Sequence, residues 1–172
     1  MPLVTTQPSF SLPDFTFPDV YAAQLLASAA GERSVVKTDG ALLNGAQNLF
    51  TIFGAPCIAR LTGLITADTG GQATNGQLRI TTVVPAATTN LSTAVALANK
   101  AAGTSIRFIG ASGTLTLVSA GVVMIDPVLT DDTRFLLPVG TLIFNSTAAD
   151  SGVIAWYLEY TPLSSDCVVT PA

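Results

Sequence analysis

From Ser34 to the end of the chain, short runs of β-branched and aromatic residues alternate with polar positions and are broken by glycine, asparagine and aspartate. That is the pattern of an all-β fold, an antiparallel sandwich or barrel. It predicts strands at Val35 to Thr38, Leu49 to Phe53, Cys57 to Ala67, Gln77 to Val84, Ser105 to Ile109, Thr114 to Val118, Val122 to Ile125, Arg134 to Leu136, Thr141 to Phe144 and Val153 to Thr161. In the most regular of these, "GVIAWYLEYTPL", Ile154, Trp156, Leu158 and Tyr160 fall on one face, and Val153, Ala155, Tyr157, Glu159 and Thr161 on the other. Trp156, Leu158 and Tyr160 are therefore expected in the core, and burying them at about 25 cal/mol per Å2 makes this strand central. The stretch Leu91 to Ala102, "LSTAVALANKAA", reads as an alanine-rich helix or as a strand followed by a turn, and the strand is the expectation. In "ADTGGQATNGQ", Gly70, Gly71 and Gly76 are expected to supply turn geometry.

Residues 1 to 33 follow a different pattern. Pro8, Pro13 and Pro18 recur every five residues with Phe10, Phe15 and Phe17 between them. Each proline fixes its own φ and pushes its predecessor toward extended backbone, so a continuous helix is excluded. The stretch is nevertheless too apolar for a solvated tail. Asp19 then serves as an N-cap for one short helix over Tyr21 to Ala30, stopped by Gly31. Its polar side chains, Gln24 and Ser28, share one stripe, which leaves Tyr21, Leu25 and Leu26 in need of cover. The expected organisation is a docking arm with a short helix over residues 1–33 and a sandwich over residues 34–172. Phe10, Phe15, Phe17, Tyr21, Leu25 and Leu26 are the candidate partner-binding anchors.

Composition narrows the chemistry. The 172 residues are 49% hydrophobic and only 10% charged, well under the roughly 25% of ordinary soluble domains, which leaves a surface of small neutral residues suited to protein contact. The net charge is −4 and the seven cations are scattered singly, so nucleic acid is not an expected partner. Histidine is absent, and Cys57 and Cys167 stand without a CxxC pair, which removes the usual zinc ligands and imidazole bases. The two cysteines read as small buried hydrophobes, with a Cys57 to Cys167 disulfide as the alternative. Asp126, Asp131 and Asp132 in "DPVLTDDTR" match no calcium-loop spacing, no Gly-x-Ser-x-Gly elbow occurs, and Lys37 and Lys100 lack a motif that would make either a base. The sequons at Asn90 and Asn145 read as chance matches. The segment "VYAAQLLASAAGE" has no cation before it, so export is not expected, and no run approaches the ~18 apolar residues of a membrane span. The expectation is a non-enzymatic protein with no cofactor and no metal, whose function lies in its surfaces.

Three runs, in order, carry a resemblance: "NLFTIFGAPCIARLTGLIT" (Asn48 to Thr66), "AAGTSIRFIG" (Ala101 to Gly110) and the closing "GVIAWYLEYTPLSSDCVVTPA" (Gly152 to Ala172). Together they resemble virion structural proteins of tailed bacteriophages, over roughly residues 48 to 172. The resemblance implies an antiparallel β-sandwich of jelly-roll-like form, repeated on the particle, localised to the virion and commonly a homo-oligomer, here expected as a trimer. The expected partner is a sister subunit, the major capsid protein or another virion protein, and the expected role is capsid decoration. A tail or fibre component touching the host or another tail protein is the alternative. A third reading, from another class, is a carbohydrate-binding or adhesin module with Trp156 or Tyr157 exposed for stacking.

Overall fold

A computed structural model of the chain describes residues 31–38, 40–110, 112–119 and 134–172. Among them the chain forms twelve strands and no helix. They are β1 (Arg33–Thr38), β2 (Gly45–Phe53), β3 (Cys57–Ala67), β4 (Asn75–Thr82), β5 (Ala87–Asn90), β6 (Val95–Ala96), β7 (Ser105–Ile109), β8 (Thr114–Val118), β9 (Phe135–Leu137), β10 (Gly140–Ser146), β11 (Val153–Pro162) and β12 (Val168–Pro171). The helix expected over Tyr21 to Ala30 and the strand expected over Val122 to Ile125 lie outside the described residues.

Two six-stranded antiparallel sheets pack face to face as a sandwich. Sheet A has the order β1-β11-β3-β7-β8, with β9 sharing the β7 edge of β3. Sheet B has the order β12-β2-β10-β4-β5, with β6 sharing the β5 edge of β4. Successive strands cross repeatedly between the sheets, so the apolar face of nearly every strand meets the other sheet.

The core is built on one aromatic contact. Trp156 of β11 in sheet A and Phe144 of β10 in sheet B meet between the layers with ring centroids 4.9 Å apart, tilted by 50°. Each ring occupies a clearing left by a glycine. Gly63 of β3 lies opposite Trp156 in the ladder, and a Cβ there would come within 2.8 Å of the indole. Gly76 of β4 lies under Phe144, and a Cβ there would overlap both the phenyl ring and Leu97. Trp156, Leu158 and Tyr160 are all buried, Trp156 at 2% exposure, among Phe50, Leu61, Ile106 and Leu142. An indole in that position has no face left for stacking on a sugar.

Several sequence expectations are corrected. Gly76 is a strand residue whose missing side chain admits Phe144, and only Gly70 and Gly71 belong to the loop. β4 spans Asn75–Thr82, so Val83 and Val84 leave the strand for the turn ahead of Pro85, where the ladder cannot use a proline nitrogen. Leu91 to Ala102 is neither helix nor continuous strand. Only Val95–Ala96 pairs with β4, because the Leu97 amide donates to the Thr74 carbonyl, and Asn99 turns the chain with φ 55°. β5 and β12 were not expected: "ATTN" has no large apolar residue and "VVTP" ends in proline, yet both pair as short edge strands. In β2, Leu49 is an extra residue opposite the Leu142/Ile143 step of β10. That bulge buries Leu49 and Phe50 consecutively, and the Leu49 carbonyl accepts the Ala172 amide at 3.1 Å.

Cys57, at the start of β3, and Cys167, just before β12, are both free and fully buried. Burial, aided by the neighbouring Cys167, pushes the Cys57 thiol up to about 12, and burial also raises Cys167. We expect neither thiol to react with a disulfide reagent at pH 8 in the folded protein, and both to react in denaturant; fast labelling of the native chain would contradict this burial. We also expect Gly76→Ala to destabilise the fold by about 1–3 kcal/mol through overpacking against Phe144, read as a lower urea midpoint at unchanged slope.

Candidate functional site

The six expected anchors, Phe10, Phe15, Phe17, Tyr21, Leu25 and Leu26, lie outside the described residues, as do Asp126, Asp131 and Asp132. Among the described residues, no three acidic or cysteine side chains converge on a point that could hold a metal. What the fold does assemble is a surface, and it follows from strand parity.

On the outer face of sheet B, one cross-strand row consists of threonine alone. Thr170 lies opposite Thr51, Thr51 opposite Thr141, Thr141 opposite Thr81 and Thr81 opposite Thr88. The hydroxyls of Thr81 and Thr88 are 2.9 Å apart. Two residues along the same face, Phe53 and Val168 form the next cross-strand pair, 52% and 47% exposed. On the far side of β10, Val83 and Val84 project from the β4–β5 turn at 66% and 89% exposure. The result is an apolar strip across one end of the sheet, bordered by hydroxyls. Charge is nearly excluded: the strands of sheet B contain one charged residue, Arg79, whose guanidinium is held by Gln77 at 3.3 Å.

The outer face of sheet A differs. Arg60 and Glu159 form an ion pair at 3.2 Å, and the next row runs Val36, Tyr157, Thr62, Arg107, Thr116. Tyr157 is half exposed there, beside Val36.

The strip also marks where the chain enters the sandwich. Arg33 pairs with Tyr160, two residues before the end of β11, and it lies close enough to Cys167 to act on its thiol. Residues preceding β1 therefore join the domain at the same end as Phe53 and Val168.

At the opposite end the inter-strand loops are tied into a crown by backbone hydrogen bonds. The Leu42 amide donates to the Gly152 carbonyl and the Asp150 amide to the Leu42 carbonyl, both at 2.9 Å. Asp150, 7% exposed, accepts on Oδ1 from the Gly70 amide at 2.5 Å and the Gly152 amide at 3.1 Å, which joins the β3–β4 and β10–β11 loops. Burial opposes ionisation of this carboxyl, but the amides of Gly70, Gly152 and Ser151 outweigh it and hold the group below the usual carboxylate range. Thr69 does the same for the next loop, accepting from the Lys100 amide at 2.7 Å while its hydroxyl donates to the Leu97 carbonyl. Beside Thr69 lies an open hollow of about 210 Å3 lined by Asp68, Thr69, Asn99, Lys100 and Ala101. Two of its side chains hold the loops, Thr69 as above and Asp68 by accepting the Ala102 amide at 2.6 Å. The crown is scaffold.

Sequence reasoning did not single out Phe53, Val168, Val83 or Val84. The signal for Phe53 was present, since Thr51 and Phe53 alternate with Phe50 and Ile52 and so cannot share their face. Asp150 was equally unmarked, because an Asp-Ser-Gly turn looks like any other until its partners across the loops are known.

Comparison with protein-family models, with curated proteins and with solved structures returned no match.

For the crown, Asp150→Asn is expected to lower stability at pH 7 by about 1–3 kcal/mol, since amide donors lose a charged acceptor. The folded-state pKa is depressed, so this contribution is fully present above the unfolded value of about 3.9 and fades as pH falls from there through the folded value. Urea unfolding of both proteins from pH 7 down to pH 3 should show the gap closing in acid. A gap that is constant with pH would mean the carboxylate charge is not what holds the loops.

Proposed function

We propose that the chain is a non-enzymatic structural protein of a bacteriophage particle, a capsid decoration or stabilising protein that binds the capsid or its sister subunits through its N-terminal arm. The observation that carries this reading is the outer face of sheet B: nearly uncharged, lined by threonine, and crossed by an exposed apolar strip at the end where the arm joins the domain. A face of this kind loses little on desolvation because it buries almost no charge, which suits repeated protein–protein contact in an assembly. The strand order supports a jelly roll: β1-β11-β3-β7 opposite β2-β10-β4-β5 is two interlocked sets of four, with β8 and β12 added at the edges.

A tail or fibre component is the second reading, favoured by the crown, whose backbone-tied loops would present a rigid tip to a host surface. Copy number separates the two, since a decorating protein covers a lattice and a tail part does not.

The test is deletion of residues 2 to 18. The sandwich should remain folded, with Trp156 emission unchanged, while the native mass falls from an oligomer, a trimer on this reading, toward the monomer and attachment to particles is lost. An oligomer of unchanged mass and attachment would reject the arm as the assembly device, and a chain that cannot fold without the arm would make it a core element.

A further inference from the structure

Phe53 and Val168 stand side by side at one end of sheet B, and Val83 and Val84 reach solvent beyond β10 at the same end. From β12 to β4 the strip crosses three inter-strand spacings, about 14 Å. An extended chain of about four residues spans that length. Large exposed apolar side chains gathered in this way mark a contact surface.

We infer that the strip is the receiving site for the segment Pro8–Pro18 of a second copy of this chain, with Phe15 and Phe17 as its anchors. The inference rests on the reading above that the arm acts between subunits, and it adds the surface on which the arm lands. Three observations support it. The first is position, because the chain enters β1 at Arg33, beside Cys167 and Val168, so in each subunit the arm starts next to a strip.

The second is length. Thirteen peptide steps separate Pro18 from Gly31, which reach about 20 Å even at helical rise and about 43 Å when extended, against a strip of about 14 Å. The segment itself is pre-restricted by Pro8, Pro13 and Pro18, which lowers the entropy lost when it docks.

The third is charge. Pro8–Pro18 carries one charge, Asp14, and the strands of sheet B carry one, Arg79, while Arg33 and Asp166 both stand near Cys167 at the β12 end of the strip. The segment and the strip are both nearly uncharged, so docking strips water from little charge. Reach alone would let the arm fold back on its own strip, but the threonine row beside the strip favours exchange. A donated arm brings the donor's body against the neighbouring uncharged row, whereas an arm that folds back leaves the row open.

The experiment places a photoreactive benzoyl-phenylalanine at position 15 of the full chain, irradiates the native oligomer and maps the linked peptides by mass spectrometry after separation by size. Links in covalent dimers to peptides containing Phe53, Val168 or Val83 are the expected result. Links to the same peptides within a single chain would overturn exchange between copies. Links between chains to the Val36 and Tyr157 face, or to the crown, would overturn the strip as the site while leaving arm-mediated assembly standing. A chain that is monomeric at every concentration would instead strike the assembly reading itself. In parallel, Phe53→Asp with Val83→Asp should weaken self-association by about tenfold or more while Trp156 emission stays native, and Val36→Asp should not. Equal self-association in all three proteins would overturn the proposal.

Discussion

The two sheets are held at their spacing by the contact between Trp156 and Phe144, and each ring has room because a glycine leaves a clearing for it: Gly63 directly opposite Trp156 in β3, and Gly76 in β4, two residues from the Leu78 that faces Phe144. Sheets in a sandwich pack about 10 Å apart, too close for two large aromatic side chains to meet end-on above ordinary residues. Gly63 and Gly76 leave room for the rings, and Leu61, Ile106, Leu78 and Leu142 belong to the same buried cluster. Strand register follows from this: moving β11 or β10 by one residue would lift its ring out of the clearing and turn the whole apolar set to solvent. Faces, ends and loops all inherit their positions from that register.

Much of this order was visible in the amino-acid pattern. β3, β7, β8 and β11 alternate strongly enough for period alone to define them, and the burial of Trp156, Leu158 and Tyr160 follows from the same alternation. Elements that depend on distant partners were illegible. β5 forms from "ATTN" because β4 offers an open edge, and Leu91 to Ala102 is shaped by the Thr69 hydroxyl and the Thr74 carbonyl, both more than fifteen residues away. The strip of Phe53 and Val168 was half legible. Parity sent Phe53 outward, but its partner lies on β12, a strand whose proline and short length conceal it. The arm anchors fall on residues the structure does not describe, so their place in the picture comes from where the chain enters β1.

The sandwich has two dissimilar ends and two dissimilar faces. One end gathers hydrogen bonds around Asp150 and Thr69, and the other gathers exposed apolar side chains. Sheet A carries Arg60 paired with Glu159, whereas sheet B is almost without charge. Such polarity gives the domain an orientation: one face and one end suited to being covered, and the opposite end suited to facing outward. A particle protein of the proposed kind needs this asymmetry, because it must be bound on one side only.

The crown has a consequence for how its tip can change. Its loops are positioned by main-chain amides and carbonyls and by short side chains such as Asp150, Thr69 and Asp68, so the outward side chains of neighbours such as Gln72, Ala73 and Ala101 take little part in holding the backbone. Their identities can drift without moving the loops. The tip thus behaves as a fixed frame carrying replaceable surface, so that new specificity could arise there by single substitutions while the sandwich beneath stays the same.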